Sequence, residues 1–253
     1  MPTGKILWDW QIGVSGDSGI RPGAGLRLID VDMFNTSAAK VAELKSQGIY
    51  TVCYINAGSW QDGYPDSNQY PQYLKIYADR DWPGEYFLDV TDVFKPNSIL
   101  ASILRARIDL CKAKGFDAVE PDNLQNDENA GGLITRQQQI DFNGWFADAA
   151  HAAGLKVFQK NGPDKIDLRT TYDGQSMLQK FDGILNEECQ QYNECSPLAK
   201  YVAAGKLALN VEYSKAPNCT LSDQLNINTI QKNLNLTTAK WVTCAYSGTP
   251  LTP

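Results

Sequence analysis

Two acidic blocks are the parts of the sequence best suited to chemistry. Glu120-Pro121-Asp122-Asn123 and Asn186-Glu187-Glu188 each finish a short β-rich run, over 118–122 and 183–187. Two carboxyl groups held about 5 to 9.5 Å apart can cleave a glycosidic bond without a metal, one protonating the leaving oxygen while the other acts as nucleophile or base. Asp122 and Glu187 form the strongest such pair. The structural alternatives are a turn or helix cap for Asp122 and a salt bridge to Lys160 for Glu187.

The ends of the other β-rich runs are of the same character. Asp9-Trp10-Gln11, Asp30-Val31-Asp32, Tyr54-Ile55-Asn56, Lys160-Asn161 and Asn210-Val211-Glu212-Tyr213 all close on acids, amides or aromatics. If these ends converge, they make an acidic cleft with aromatic walls. Asp30, Asp32, Tyr54, Asn56, Glu120, Asn123, Lys160, Asn161 and Glu188 are expected in it, with Trp8 or Trp10 as a platform for a sugar ring.

Competing chemistries are poorly supplied. The chain has a single histidine, His151, which excludes zinc sites built on several imidazoles and leaves acid–base work to carboxylates, Lys, Tyr or Cys. No G-x-S-x-G elbow offers a serine nucleophile. His151 sits near the expected C-terminus of a helix, where an imidazole meets free carbonyls, and is read as structural. The stretch from Asp122 to Leu133 fails as a calcium loop because Leu124 stands at a ligand position. No metal and no cofactor are called for. With 23 Lys and Arg against 29 Asp and Glu, the net charge of −6 argues against a nucleic-acid partner. No apolar run approaches the length of a membrane helix, so no membrane partner is expected either.

The elements that must position these residues alternate. The β-rich runs are 6–10, 26–31, 51–55, 86–90, 118–122, 156–160, 183–187, 207–211 and 240–244; helical patterns cover 37–47, 97–114, 135–153, 196–204 and 222–234. Ser37 and Thr135 are suited to cap helices, and Gly48, Gly115 and Gly154 to stop them. Alternating βα units imply a parallel sheet covered on both sides, and about 250 residues without a dinucleotide fingerprint favour a single-domain (β/α)8 TIM barrel over 1–253. Nine runs compete for eight places. The segment from about 57 to 96 is rich in Gly, Pro, Tyr and Asp, so 86–90 is read as part of an excursion after the third strand, which makes 118–122 strand four, 183–187 strand six and 240–244 strand eight.

Six cysteines with no C-x-x-C pair, together with the sequons at Asn35, Asn218 and Asn235, favour a secreted, disulfide-bonded glycoprotein. Short separations select the pairs Cys189 with Cys195 and Cys219 with Cys244. No signal peptide is visible after Met1. A monomer is expected.

Taken together, Trp8-Asp9-Trp10-Gln11, Asp30-Val31-Asp32, Val52-Cys53-Tyr54-Ile55-Asn56-Ala57-Gly58-Ser59, Gly115-Phe116-Asp117-Ala118-Val119-Glu120-Pro121-Asp122-Asn123, Gln159-Lys160-Asn161 and Asn186-Glu187-Glu188-Cys189 closely resemble glycoside hydrolase family 114. The blocks stand in the family's order from Trp8 to about Cys195. The resemblance implies a (β/α)8 barrel, an endo-acting α-1,4-polygalactosaminidase, and catalytic carboxylates at Asp122 and in the Asn186-Glu187-Glu188-Cys189 motif. Position on strands four and six assigns Asp122 as nucleophile and Glu187 as acid/base, with the reverse assignment open and Glu120 and Glu188 as competitors. Tyr64-Pro65-Asp66 departs from the Arg-Pro-Asp often found in the family, which puts that arginine's contact in doubt. The expected partner is a cationic, galactosamine-containing polysaccharide, which an acidic cleft would attract, the alternatives being a non-catalytic binding module for such a polymer or a glycosidase for another amino-sugar polymer.

Overall fold

The computed structural model describes residues 1–244 and the backbone of residues 250 and 251. Strands β1 (Trp8–Trp10), β2 (Leu28–Asp32) and β3 (Tyr50–Asn56) are followed by an insertion that holds β4 (Ser59–Gln61), β5 (Lys75–Ala78) and β6 (Glu85–Leu88). The main sheet resumes with β7 (Ala118–Asp122), β8 (Lys156–Lys160), β9 (Gly183–Glu187), β10 (Leu207–Glu212) and β11 (Asn228–Gln231), then β12 (Val242–Cys244) and β13 (Pro250–Leu251). Its order is β1-β2-β3-β7-β8-β9-β10-β11-β12-β13, with the first eight members parallel and the last two antiparallel. These eight strands are the wall of the expected barrel.

Helices cross over between them: α1 (Ala38–Ser46), α2 (Ile99–Lys114), α3 (Asn126–Asn129), α4 (Arg136–Ala152), α5 (Met177–Lys180), α6 (Ala199–Ala203) and α7 (Cys219–Leu225). The long ones start where the sequence allows. Ser37, Ser98 and Thr135 each accept a hydrogen bond from the backbone N–H three residues on, and Thr135 with Gln138 completes a capping box. Gly115, at φ 91°, ends α2 in the left-handed conformation that glycine adopts freely.

The last barrel strand corrects the sequence reading. A helix over 222–234 and a parallel strand over 240–244 were expected, but α7 stops at Leu225 and the eighth parallel strand is Asn228–Gln231. Asn226 takes φ 54°, which breaks the helix and turns the chain into the sheet. Polar residues at its ends hid this strand: Asn228 at its start and Lys232 just past its end close the barrel, with only Ile230 between them in the inner core. Among the described residues no backbone ladder joins β1 to β11. Instead Asn228 accepts from Ile6 N–H and donates to Gly4 C=O, and its own carbonyl accepts from Trp8 Nε1 at 2.9 Å. Just above, buried Lys232 pairs with Asp9 at 2.6 Å.

Alternation along the strands divides the core in two. Outward residues such as Ile29, Val31, Cys53, Ile55, Val119, Val157 and Ile184 pack under the helices, while Trp8, Leu28, Val52, Ala118, Phe158, Leu185 and Leu209 fill the barrel. Trp8 is thus a fully buried core residue, correcting its expected place as a sugar platform. The inward positions one layer higher, towards the strands' C-terminal ends, are polar: Asp30, Asp32, Tyr54, Asn56, Glu120, Asp122, Lys160 and Glu187.

The excursion after β3 is an antiparallel sheet of order β4-β6-β5 lying over that end, and 86–90 falls within it as expected. Its root is a close approach: a Cβ on Gly58 would lie 1.7 Å from the carbonyl oxygen of Asn123, so no side chain fits there. Arg107 from α2 fastens the excursion, pairing with both oxygens of Asp66 at 2.7 and 2.8 Å and donating to Asn56 C=O at 2.6 Å. Asp66 of Tyr64-Pro65-Asp66 thereby finds its arginine on a different element.

Cys189–Cys195 and Cys219–Cys244 pair as expected, and Cys53–Cys111 joins β3 to α2. No helix among the described residues is long and apolar enough to cross a membrane.

Two stability measurements follow. The 58-residue separation of Cys53 and Cys111 makes their bond the strongest chain-entropy restraint of the three, so Cys53→Ala with Cys111→Ala should lower unfolding free energy by about 3 to 4 kcal/mol in denaturant titration. His151 Nε2 lies 2.7 Å from Asp182, which Lys156 also holds at 2.9 Å. Burial opposes ionisation of Asp182, but the hydrogen bonds from His151, Lys156 and Val157 N–H outweigh it and lower its pKa to about 2. A depressed carboxylate stabilises above its unfolded pKa and loses that contribution as pH falls through the folded value. The stability gap between wild type and Asp182→Asn should therefore be about 1 kcal/mol near pH 6, after allowance for solvent screening, and close as pH falls from about 4 to 2.

Candidate active site

The polar layer meets at Lys160, the last residue of β8. Its ammonium is buried and lies 2.6 Å from Asp122 Oδ1 on β7, 2.9 Å from Glu187 Oε2 on β9 and 3.8 Å from Glu120 Oε1. Parallel pairing dictates this meeting, since Asn56 stands opposite Asp122 and Lys160 opposite Leu185, two residues before Glu187. The face of the Trp10 indole lies 5.0 Å from the same ammonium. Burial opposes the charge on Lys160, but Asp122, Glu187 and Glu120 more than offset this and raise its pKa.

Each member of the central pair has its own orienting groups. Asp122 accepts from Tyr54 Oη at 2.8 Å and from Asn123 N–H at 2.9 Å. Burial would raise its pKa; the charge of Lys160 and the hydrogen bonds from Lys160, Tyr54 and Asn123 prevail and hold it below the ordinary aspartate value. Glu187 accepts from Asn161 Nδ2 at 2.9 Å on one oxygen and from Tyr213 Oη on the other, while its backbone N–H donates to Asn161 Oδ1 at 2.8 Å. Asn123 and Asn161 both have left-handed φ, at 61° and 53°, where asparagine is tolerated better than most residues. The turn after each strand thus sends an amide back along the strand end, Asn123 to Asn56 Oδ1 and Ser59 Oγ and Asn161 to Glu187.

A cleft of about 770 Å³ opens above this centre, lined by Trp10, Asp32, Tyr54, Asn123, Asn161 and Tyr213 from the barrel and by Tyr64, Tyr77, Asp79, Asp81, Trp82, Glu85 and Phe87 from the excursion. It continues past Glu187 into a groove bounded by Glu128, Asp164, Glu188, Tyr192 and Glu194. Asp32 accepts from the N–H groups of Phe34 and Asn35; burial nonetheless raises its pKa, as it does that of Glu85, which accepts from Ser59 Oγ at 2.8 Å.

The expected site residues sort into five places. Asp122, Glu187, Lys160, Trp10, Asp32, Tyr54, Asn123 and Asn161 line the cleft. Asn56 lies beneath it, holding Ser59 and Asn123. Asp30 and Glu120 are fully buried under the floor, and Glu188 turns into the adjoining groove at φ 54°. Trp8 belongs to the core. Sequence reasoning missed Glu85, Tyr64 and Trp82, all on the excursion. The alternation of Glu85-Tyr86-Phe87-Leu88, which sends Glu85 and Phe87 to the cleft, was the available signal.

Among the described residues no group of three or more His, Cys, Asp or Glu side chains could hold a metal ion. Two carboxyl groups sharing one cation, each steadied by a tyrosine hydroxyl at the mouth of a parallel barrel, have the parts for glycosyl transfer to water.

The comparisons agree with this chemistry. No protein of curated function matches the sequence. Among solved structures, Aspergillus fumigatus Ega3 in complex with galactosamine is similar at 26% identity, with a TM-score of 0.81 over 93% of this chain and 94% of that one. The glycoside hydrolase domain of PelA from Pseudomonas aeruginosa shares the fold at 14% identity and a TM-score of 0.63, over 93% and 96% of the two chains. An α-L-fucosidase from Paenibacillus thiaminolyticus shares it at 15% identity and a TM-score of 0.57, over 92% of this chain and 46% of that one. The family model for glycoside-hydrolase family GH114 matches residues 2–249, and the chain belongs to that family.

Proposed function

We propose that this protein is an endo-acting glycoside hydrolase that cleaves α-1,4-linked galactosamine or N-acetylgalactosamine polysaccharide through Asp122 and Glu187. The observation that carries the reading is the lysine bridge. Lys160 Nζ is 2.6 Å from Asp122 Oδ1 and 2.9 Å from Glu187 Oε2, so these two oxygens are no more than about 5.5 Å apart. That separation of the lysine-facing oxygens suits a double displacement with retention.

Asp122, kept ionised by Lys160 and aimed by Tyr54, attacks the anomeric carbon. Glu187 gives its proton to the departing glycosidic oxygen; the Tyr213 hydroxyl accepts from Glu187 when that acid is protonated and donates to it once ionised. In the second half, Glu187 takes a proton from water, which displaces Asp122 from the sugar.

The substrate class is supported by charge. Asp32, Asp79, Asp81 and Glu85 line the cleft together with Arg80, and Glu188 and Glu194 line the adjoining groove, where Glu128 and Asp164 are paired with Lys165 and Arg136. Amino-sugar units on both sides of the scissile bond would meet acids, as an endo-acting enzyme on a cationic polymer requires. The galactosamine bound to the similar Ega3 points the same way. The three disulfides suit an oxidising, extracellular setting, and the reading is of a monomer with one catalytic domain over 1–253.

Asp122→Asn and Glu187→Gln should each lower oligosaccharide release from a galactosamine polymer by about a thousandfold or more while the proteins remain folded, and wild-type products examined early by NMR should keep the α configuration. Full activity in either folded variant, or products that begin as the β anomer, would refute the assignment. Lys160→Met should lower turnover about a hundredfold. It should also move the acidic limb of the pH–rate profile to higher pH, because burial raises the Asp122 pKa when the opposing cation is gone and the ionised form is lost earlier on acidification.

A further inference from the structure

Asp30, Asp32, Glu120, Asp122 and Glu187 crowd around one ammonium. With all five ionised, the mouth of the barrel would hold four net negative charges. Asp32 has two backbone donors, and Asp122 and Glu187 have Lys160, the tyrosines and the asparagines. Asp30 and Glu120 have nothing comparable. Both side chains are 0% exposed, and none of their four carboxyl oxygens has a hydrogen-bond partner. Lys160, 3.8 Å from Glu120, is committed at 2.6 and 2.9 Å to the other two acids. With no protein donor in reach, a carboxylate at that depth is far costlier than a neutral carboxylic acid.

We infer that Glu120 is a positioning residue that works in its protonated form, with Asp30 likewise neutral below it, so that the single charge of Lys160 is left undivided for Asp122 and Glu187. The groups facing Glu120 come from every strand around it: Asp30 on β2, Tyr54 on β3, Asp122 on its own strand, Lys160 on β8, Glu187 on β9, and Tyr213 just past β10. Burial and each neighbouring acid favour the proton, and Lys160 alone opposes it. An ionised Glu120 would draw Lys160 down into the barrel and loosen its hold on the pair above. The conserved shape of a glutamine, lacking the titratable proton, should therefore serve at position 120 as the acid does.

The kinetic arm rests on the proposed roles of Asp122 and Glu187; a spectroscopic arm does not. Glu120→Ala should lower turnover about tenfold by releasing Lys160, and Glu120→Gln should restore it to within about threefold of wild type at neutral pH with both limbs of the pH–rate profile within about 0.3 unit. If Glu120 were charged, removing its charge would strengthen the pull of Lys160 on its neighbours and lower the acidic limb by about a unit or more. A hundredfold loss of turnover in Glu120→Gln, no loss in folded Glu120→Ala, or such a displacement would overturn the inference. Protein carrying ¹³C-labelled glutamate carboxyls supplies the independent reading, with no turnover needed. One carboxyl resonance should stay at the protonated position between about pH 5 and 8, assigned to Glu120 by its loss in Glu120→Gln. If every glutamate titrates in the ordinary range, the inference fails even where the enzyme is active; if the protein proves not to be a hydrolase, this resonance still decides the state of Glu120.

Discussion

A buried ammonium surrounded by acids is the constraint to which the rest of this barrel conforms. Lys160 cannot be charged in that position unless carboxylates face it, and the lysine in turn outweighs the burial that would raise the Asp122 pKa. Each side of the interaction is unstable alone. Holding them together requires three adjacent parallel strands in fixed register, because a slip of one residue on β7, β8 or β9 would turn the corresponding side chain into the outer core. The apolar inner layer of Trp8, Leu28, Phe158, Leu185 and Leu209 sets that register from below. The hydrophobic core thus acts on the chemistry by fixing which residues can meet the lysine.

Closure of the barrel serves the same end from the opposite wall. Asp9 pairs with Lys232 and accepts from Trp10 N–H and Gln11 Nε2, so a second buried ion pair fixes the strand that carries Trp10 across from Lys160. The excursion adds a roof whose position depends on Arg107, itself lodged among the rings of Phe34, Tyr64 and Tyr70. Because Arg107 also holds the carbonyl of Asn56, the fastening of the roof is continuous with the strand that carries Tyr54. Substrate-facing groups on two separate sheets are in this way tied to one scaffold.

The polar ends of the strands made much of this visible before any coordinates, because a residue such as Asp122 after an apolar run has few structural reasons to be there. The parallel sheet, the excursion and two disulfide pairs were readable for similar local reasons. What escaped depends on contacts distant in sequence. The strand Asn228–Gln231 starts on a polar residue because it closes the barrel against residues 4–8, and within its own window the pattern looks helical. Trp8 and Trp10 share a motif, a face and a buried cluster, yet only the second, one layer higher, also reaches the wall of the cleft. The same step of two residues separates Glu120 from Asp122. Sequence gives the alternation along a strand; the height at which apolar filling stops and the cleft begins is set by all eight strands together.

That height also explains why the acids outnumber the cation. Carboxyl groups above the floor can ionise because solvent and donors reach them, and on the proposed reading they wait for ammonium groups that arrive with the substrate. Below it, the same residue type is affordable only with its proton. A positively charged polymer entering the cleft would supply the missing countercharge at the upper level and leave the lower level unaltered, so the pair beside Lys160 stands between a region whose charge changes on binding and one whose charge does not. An active site built this way gains attraction for its substrate from surplus acid without surrendering the one fixed cation that keeps its nucleophile ionised.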